Sequence, residues 1–416
     1  MAPSQDRVLF VSLEENGERI TIGKIFFHGY GDALSTTFIY DEDWLSGKMS
    51  FPIAPYMPLV QQHYNTVGIP GFASDAAPDR WGRMLIYKGI AQESSDMNQT
   101  LRIIDEYDYL AGVDDWARMG AWRFSETKDG PFVAQQSNIP KLITLPELLS
   151  ASHAVLHENQ ESYAGIKLLL SAGTSSLGGA HPKATVEDGG VLYLAKFPNI
   201  NETWDDVRWE SFCLSMARKC GITTPDYRVI NIGDFPVLLV RRFDREAEKR
   251  IPYMSALSLL QLADNARADY ADLAEVARTF VANPREEMKE LFTRTVLNIV
   301  LHNIDDHARN HGFIRTDEGW TLSPVFDLTV SPFAAAERRM AVFGRTGSNE
   351  TEGLSELAEL FGLSNAERNE CVEKLMSAFV TWRIEAQKAA CKESEIAVMK
   401  PIFEDRLSAV KKAMLR

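Results

Sequence analysis

Two aspartates and an asparagine in the C-terminal half have the residue types and the order that phosphoryl transfer requires. Asp305 lies five residues before Asn310, and Asp327 follows after a predicted short hairpin. Kinase catalytic centres use this order. The first Asp orients or deprotonates the acceptor hydroxyl, while the Asn and the second Asp hold Mg²⁺ against the nucleotide phosphates. Hard oxygen ligands also suit Mg²⁺. The order predicts that Asp305 is the catalytic carboxylate and that Asn310 and Asp327 are metal ligands.

Two other interpretations of this stretch remain open. In the first, three polar side chains only cap and solvate a helix–loop junction: Asp305, Asp306 and Asn310. In the second, the two aspartates join three histidines in a hydrolase-type metal site: His302, His307 and His311. These histidine spacings do not converge obviously on a broken helix, and the sequence has no HExxH motif.

A glycine-rich segment between a predicted helix and a predicted hairpin is a candidate phosphate loop. Gly178 and Gly179 lie among small hydroxyl residues, and glycine lets backbone N–H groups approach a phosphate closely. No Lys-Ser or Lys-Thr pair follows, so this is not a Walker A loop, and an ordinary turn is the alternative. Lys196 lies in an alternating strand over 191–197. A lysine on a buried strand needs an anionic partner, although an edge strand would let it face water. Lys183 is a second candidate in a more turn-like setting.

The strand predicted over 237–242 ends at a position where kinases connect their two lobes. Backbone groups of Arg241 and Phe243 could meet adenine there, and Asp244 could meet a ribose hydroxyl. The alternative is an ordinary strand end.

The elements around these residues predict an α+β protein. Residues 7–13, 19–27 and 36–40 alternate like antiparallel strands, and residues 126–140 resemble a linker. Strands and a helix follow, and after residue 244 the apolar spacing i, i+3, i+4 predicts mostly helices. Ser364 and Glu367 form a capping-box pattern before one long helix, predicted to run to about residue 390.

Composition excludes several classes of protein. The chain has 416 residues, of which 45% are hydrophobic and 25% charged, as in ordinary globular proteins. Its net charge of −14 argues against direct, tight binding of nucleic acid. Four cysteines without a CxxC pair indicate a reducing compartment. No apolar run reaches the length of a signal peptide core or a membrane span, so we expect a cytoplasmic protein.

The segments SSLGGAHPKA, LAKFP, VRRFDR, DDHARN and PVFDL, in this order, resemble the HipA family of bacterial serine/threonine kinase toxins. FIYDEDWL and DAAPDRWGR near the N-terminus are also similar to that family, so the resemblance covers nearly the whole chain. It implies a bilobed, protein-kinase-like α+β fold. Residues 1–125 would form an N-terminal β-rich subdomain, 126–245 a kinase N-lobe-like region and 246–416 a mainly helical C-terminal lobe.

The resemblance also implies roles for individual residues. Asp305 would be catalytic, although Asp306 follows it where family members vary; the five-residue step to Asn310 favours Asp305. The metal ligands would be Asn310 and Asp327. The implied ATP-binding residues are Gly178, Gly179, Ala180, His181, Pro182, Lys196, Arg241, Phe243, Asp244, His307, Asn310 and Phe326. Ser176 matches the serine that the family autophosphorylates, and two further hydroxyl residues lie close to it: Thr174 and Ser175.

The family implies cofactors and partners as well. These are ATP and Mg²⁺, a protein substrate such as an aminoacyl-tRNA synthetase, and a small helix-turn-helix antitoxin (HipB-like) that alone contacts operator DNA. No membrane partner is expected. Two alternatives remain: a catalytically weak, kinase-like binding module that acts as an antitoxin-bound co-repressor, or a small-molecule kinase. Every catalytic position carries the residue type that an active kinase requires, which favours activity.

Overall fold

A computed structural model describes residues 7–134, 139–157, 162–173, 181–264, 266–333 and 337–414. The chain divides into two compact units. Unit 1 consists of Met1–Ile200 and Ile232–Met254, and unit 2 of Asn201–Asn231 and Ser255–Arg416. The boundary predicted near residue 125 therefore lies inside unit 1.

Unit 1 begins with a five-stranded antiparallel sheet in the order β4-β3-β2-β1-β5. Its strands are β1 (Arg7–Glu15), β2 (Glu18–His28), β3 (Ser35–Tyr40), β4 (Tyr64–Val67) and β5 (Arg123–Ser125). Asn16 and Gly17 join β1 to β2 with φ values of 53° and 80°. This is the Asn-Gly chemistry that two-residue hairpins favour. The β-rich start predicted from alternation is confirmed.

The helices of unit 1 are α1 (Glu42–Ser46), α2 (Gly71–Ala76), α3 (Arg80–Asp96), α4 (Glu106–Gly112), α5 (Leu145–Leu156) and α6 (Ser162–Ser171). Residues 77–79 separate α2 from α3. Pro78 explains the break, because the residue before a proline is disfavoured in helical conformation. Asp79 then caps α3, since its Oδ1 accepts a hydrogen bond from Gly82 N at 2.9 Å.

A second set of strands carries the predicted nucleotide residues. The strands are β6 (Lys183–Asp188), β7 (Val191–Lys196), β8 (Tyr227–Ile232), β9 (Phe235–Arg241), β10 (Arg245–Glu246), β11 (Lys249–Arg250) and β12 (Tyr253–Ser255). β7 pairs antiparallel with β6 on one side and with β9 on the other. Gly189 and Gly190, both at positive φ, form the turn between β6 and β7. β7 is thus an interior strand.

Unit 2 is mainly helical, as predicted. Its elements are α7 (Asp206–Lys219), α8 (Ala256–Leu259), β13 (Ala268–Asp269), α9 (Tyr270–Ala277), α10 (Pro284–Leu301), β14 (Gly312–Thr316), β15 (Gly319–Leu322), β16 (Met340–Ala341), α11 (Leu354–Leu360), α12 (Asn365–Phe379), α13 (Trp382–Lys388) and α14 (Glu393–Met414). The residues of α10 from Leu291 to Leu301 are all buried, and α10 packs against α12 and α14. The core of unit 2 is therefore built around the helix that leads into the candidate catalytic loop.

The prediction of one long helix after Ser364 was half right. The capping box is present: Ser364 Oγ accepts from Glu367 N at 3.3 Å, and Glu367 Oε2 accepts from Ser364 N at 3.0 Å. However, the helix is interrupted between α12 and α13. Thr381 lies at this break, and its hydroxyl donates to Ala378 O at 3.2 Å. Such side-chain bonds compete with the backbone bonds of a helix.

All four cysteines are buried free thiols: Cys213, Cys220, Cys371 and Cys391. Burial raises the pKa of Cys220 and of Cys391 to about 12, so both pack as small apolar groups. None of the helices in the described ranges is long and apolar enough to cross a membrane.

Candidate active site

The candidate catalytic loop begins where α10 ends. His302 adopts a left-handed conformation with φ of 53°, which stops the helix. Asn303 then bonds back to the last turn, because its N–H and its Nδ2 donate to the O and Oδ1 of Asn298, each at 3.0 Å. These bonds turn the chain out of the helix directly before Asp305, as the loss of helical pattern predicted.

The two adjacent aspartates have opposite environments. Asp305 is exposed, whereas Asp306 is 1% exposed. Asp306 Oδ1 accepts from His311 Nε2 at 2.8 Å, and Oδ2 accepts from Tyr270 OH at 2.6 Å. Burial acts to raise the pKa of Asp306, but His311 and Arg338 outweigh it and hold this pKa below its ordinary value. Asp306 is therefore an ionised, internally bonded carboxylate, and Asp305 is the one at the surface.

The histidines do not converge on a metal. His302 Nε2 lies 3.0 Å from the carbonyl oxygen of Phe333. His311 Nε2 lies 2.8 Å from Asp306 Oδ1 and 3.2 Å from Tyr270 OH. Burial lowers the pKa of His302, which keeps the ring neutral. These partners argue against the hydrolase-type interpretation.

Asn310 is placed so that its side-chain oxygen can act as a ligand. It ends a 3₁₀ turn over Ala308–Asn310, and its N–H donates to His307 O at 2.8 Å. Its Nδ2 donates to the backbone oxygen of Asp305 at 3.2 Å, so Oδ1 is the atom that could bind a cation. Nearby, His307 Nδ1 is buried and has no hydrogen-bond partner among the described residues. Buried polar atoms normally have partners, so this orphan atom fits a site that receives a polar ligand.

The hairpin that follows Asn310 is confirmed. β14 and β15 pair antiparallel from Phe313 with Leu322 to Thr316 with Gly319. Beyond the ladder, Ser323 N donates to Gly312 O at 2.8 Å. The chain therefore returns to within two residues of Asn310, as the predicted hairpin required.

The segment between the hairpin and Asp327 is held by Arg294 of α10 and by Thr223. β15 ends at Leu322, because Ser323 O accepts from Arg294 Nη2 at 2.6 Å and Val325 N donates to Thr223 O at 2.8 Å. Phe326 is buried, and Asp327 is half-buried with a left-handed φ of 55°. Such a conformation in a residue other than glycine costs on the order of 1 kcal/mol, so the surrounding contacts must maintain it.

Lys196 lies on the interior strand β7 and is 8% exposed, which excludes an edge lysine facing water. It stands directly opposite Lys183 on β6. Lys183 is also buried in the strand, not turn-like as expected, and its Nζ lies 2.6 Å from Asp79 Oδ2. Facing cations repel unless each has an anionic partner. Asp79 meets this need for Lys183.

The end of β9 corrects the expectation for Asp244. This residue is fully buried, and its carboxylate accepts hydrogen bonds from Arg242, Arg245 and Gly120 N at 2.6 to 2.9 Å. Burial acts to raise the pKa of Asp244, but the two arginines hold it far below its ordinary value. The geometry argues for an anchor of the strand end and against a ribose contact. Arg241 is exposed and Phe243 half-buried, so their predicted adenine contacts stay predictions.

The glycine-rich loop lies largely outside the described residues, including Gly178, Gly179, Ala180 and the hydroxyl residues Thr174, Ser175 and Ser176. Its described end contains exposed His181 and buried Pro182. Pro182 O accepts from Phe197 N at 2.9 Å, which continues the pairing of β6 with β7.

Sequence analysis did not identify three residues that contact the side chains described above: Asp79, Tyr270 and Arg338. Asp79 pairs with Lys183, whereas Tyr270 and Arg338 contact Asp306. The sequence does mark Asp79 as a helix cap, because it directly precedes a helix. Capping alone explains an aspartate there, so its pairing with Lys183 could not be inferred. Tyr270 and Arg338 carry no local signal. They matter only because the fold brings them to Asp306.

Two family models match parts of the chain. A family model described as HipA-like C-terminal domain matches residues 175–383, and one described as HipA N-terminal domain matches residues 17–106. The chain belongs to the HipA family.

Individual relatives are distant. The serine/threonine-protein kinase toxin HipA of Shewanella oneidensis is 20% identical over 373 residues, which cover 80% of this chain and 78% of that protein. The putative kinase Y4mE of Sinorhizobium fredii is 25% identical over 146 residues, which cover 32% of this chain and 33% of that protein. This match thus spans about a third of Y4mE.

Among solved structures, the Shewanella oneidensis MR-1 complex of HipA, HipB and operator DNA contains a chain that matches with a TM-score of 0.69 and 16% identity, covering 97% of both chains. The predicted α+β, HipA-like fold is confirmed.

Proposed function

We propose that this protein is an ATP- and Mg²⁺-dependent serine/threonine protein kinase and the toxin of a bacterial toxin–antitoxin pair. One observation carries the proposal: an exposed Asp305 lies five residues before a buried Asn310 in a loop anchored by its neighbour Asp306. The names of the two relatives, a kinase toxin and a putative kinase, support phosphoryl transfer.

In this proposal each part of the phosphoryl transfer reaction is assigned to particular residues of the chain. Asp305 receives the proton of the acceptor hydroxyl, and Lys196 with the backbone of 178–182 contacts the phosphates. Asn310 Oδ1 and the Asp327 carboxylate would hold Mg²⁺, which when bound would supply positive charge that neutralises the phosphates. The residues proposed to contact the nucleotide are His307, Phe326 and the backbone of Arg241 and Phe243.

Acceptor and regulation are parts of the same proposal. The acceptor is a protein hydroxyl, and an aminoacyl-tRNA synthetase is the first candidate. Ser176, with Thr174 and Ser175 as alternatives, is the autophosphorylation site. A phosphate there adds a charge of roughly −1.5 to −2 and should lower the affinity for ATP. Incubation with Mg·ATP, peptide mapping by mass spectrometry and ATP titration test this. Phosphate on none of the three hydroxyls would refute this regulation and leave the kinase proposal intact.

The partner is a small helix-turn-helix antitoxin that contacts operator DNA. The HipA–HipB–operator complex supports this partner, and the net charge of −14 opposes direct binding of DNA. A mobility-shift assay at physiological salt should show tight operator binding only with the antitoxin. Sequence-specific nanomolar binding by the chain alone would contradict this expectation.

The decisive experiment is Asp305→Asn. Removal of a positioned base lowers the rate by ~10² to 10⁴. We therefore expect phosphotransfer to fall by that factor, while ATP affinity measured by calorimetry stays within about twofold, because the assigned role of Asp305 is at the acceptor.

Asp327→Asn is the matched control variant. It should weaken ATP binding in the presence of Mg²⁺ and change it little without Mg²⁺, because its assigned role is at the metal. Full phosphotransfer by Asp305→Asn would show that the base has been assigned to the wrong residue. Unchanged Mg·ATP affinity in Asp327→Asn would remove the metal assignment.

A further inference from the structure

The segment that follows the candidate metal ligand Asp327 returns to the catalytic loop. Met340 N donates to Asp306 O at 3.0 Å. On its other side, β16 (Met340–Ala341) pairs in parallel with β13 (Ala268–Asp269). The backbone of Asp306, the residue directly after Asp305, is thus joined to residues 340–341 and through them to β13.

A buried charge pair makes a second connection between the same two segments. Arg338 is 3% exposed, and its Nη1 lies 3.5 Å from Asp306 Oδ2, an ion pair in which Nη1 makes no hydrogen bond among the described residues. Its Nη2 lies 3.1 Å from Glu350 Oε2, and Glu350 Oε1 in turn lies 3.3 Å from Arg406 Nη1 on α14. Two arginines therefore face two carboxylates, so the cluster is balanced in charge.

This balance makes Arg338 hard to replace. Burial acts to lower the pKa of Arg338, but Glu350 and Asp306 raise it above its ordinary value, so the guanidinium stays charged. Removal of one member of such a cluster leaves an uncompensated buried charge. Asp306 would keep its bonds from Tyr270 and His311 but would lose its ion pair with Arg338.

The arrangement differs from kinases that are switched on by phosphorylation. In those, a new Arg–phosphate pair orders the segment after the metal-binding Asp. Here an arginine of that segment already meets a carboxylate of the catalytic loop. No phosphate is needed to complete this pair.

We propose that Arg338 is a positioning residue for phosphoryl transfer. It fixes the peptide after Asp305 through the side chain of Asp306, while Met340 fixes the same residue through its backbone. Two restraints on one residue define the direction in which the Asp305 carboxylate points. Arg338 itself contacts Asp306 and Glu350, and it acts only through them. The proposal rests on the proposed function in one respect, the role of Asp305 as the base.

The test compares Arg338→Met, Arg338→Lys and the control Arg345→Met. Arg345 forms an ion pair with Glu356 at 3.0 Å in the same region, but both side chains are more than a third exposed. Misplacement of a catalytic group by about 1 Å can cost about 100-fold in rate. We expect Arg338→Met to lower kcat about 10- to 100-fold with KM for Mg·ATP within about twofold. Arg338→Lys should recover most of kcat, and Arg345→Met should change neither constant.

A double variant and amide exchange separate positioning from general destabilisation. Asp306→Asn combined with Arg338→Met should lower kcat no further than the worse single variant, because both remove one interaction. Hydrogen exchange of the peptide covering 303–311 should speed up in Arg338→Met and not in Arg345→Met.

Two results would overturn the proposal. One is an unchanged kcat and an unchanged loop exchange in Arg338→Met. The other is a parallel loss of kcat, ATP affinity and thermal stability that Arg338→Lys does not restore. If the unaltered protein transfers no phosphate to any protein or to itself, the proposed function fails. In that case hydrogen exchange still tests the restraint that Arg338 places on the loop. Exchange of the 303–311 peptide that is as slow in Arg338→Met as in the unaltered protein would refute that restraint.

Discussion

Buried charge is organised differently in the two units. In unit 1, Asp244 and Asp115 are surrounded by arginines, and the surplus guanidinium N–H groups donate to backbone oxygens: Arg242 to Ala117 and Arg118, and Arg245 to Arg118 and Gly120. In unit 2, the arginines of the Asp306–Arg338 cluster meet carboxylates in equal number.

The difference shows what each cluster does. The arginines of unit 1 connect distant parts of the backbone, because Arg242 and Arg118 are 124 positions apart in the chain. The residues after β9 are thereby fixed to residues 117–120. In the sequence, these residues follow shortly after the range 17–106 that matches the HipA N-terminal domain. The cluster of unit 2 restrains one loop. We therefore expect damage in unit 1 to appear mainly as lost stability, and damage around Arg338 mainly as lost rate.

The largest expected effect on stability comes from Asp244→Asn. This change leaves Arg242 and Arg245 buried without their shared carboxylate, and loss of one partner in a buried ion pair costs about 3 to 5 kcal/mol. Urea unfolding should show a loss of that size. Glu246→Gln, which changes an exposed carboxylate two residues away, is the control and should change little. A loss below about 1 kcal/mol in Asp244→Asn would contradict the anchoring role.

Local features of this fold could be predicted from the sequence, whereas long-range pairs could not. Strands β1, β2 and β3 follow from alternation, the first hairpin from Asn16 and Gly17, and the cap of α12 from Ser364 and Glu367, because each depends on neighbours in sequence.

The difference between local and long-range contacts also explains which features of the candidate site were predicted from the sequence. The step from Asp305 to Asn310 and the hairpin after it are local, and both were found. The ribose contact expected of Asp244 was not supported, because that carboxylate is bonded to Gly120 N, 124 positions away. Likewise, nothing near Asp306 in the sequence indicates that Arg338 will face it.

The pair Asp79–Lys183 should show an intermediate effect. Asp79→Asn removes a single cation's partner, and a hydrogen bond to a charged group contributes about 1.5 to 3 kcal/mol, so we expect a loss of about 2 kcal/mol on urea unfolding. In Asp79→Asn combined with Lys183→Met, the buried charge of Lys183 is removed as well, and part of the loss should return. If the double variant is as unstable as the sum of the singles, the two residues are not coupled.

Lowering the pH tests the buried clusters of both units at once, because protonation of their carboxylates weakens the ion pairs with arginine. The pKa values of Asp115, Asp244 and Asp306 are lower in the folded protein than the ordinary value of 3.8. A lowered pKa contributes stability that is present above about pH 4 and is lost as the pH falls. We expect about 1 kcal/mol to be lost between pH 7 and pH 4, and more below.

Urea unfolding at several pH values measures this loss. Asp244→Asn should show a shallower dependence than the unaltered protein, because one of the contributing groups is gone. Equal slopes for the two proteins would mean that Asp244 does not contribute.

The smallest effect is expected at the surface, where water can replace a lost bond. Ser364→Ala removes the cap of α12, and loss of such a cap costs about 0.5 to 2 kcal/mol. The bond from Glu367 N to Ser364 Oγ is long, at 3.3 Å, and exposed, which favours the low end of that range. We therefore expect a loss of about 0.5 kcal/mol on urea unfolding. Ser364→Thr should retain stability, since its hydroxyl can accept the same bond from Glu367 N and donate to Glu367 Oε2 as that of Ser364 does. A loss as large as that of Asp244→Asn would show that burial does not set the order of these effects.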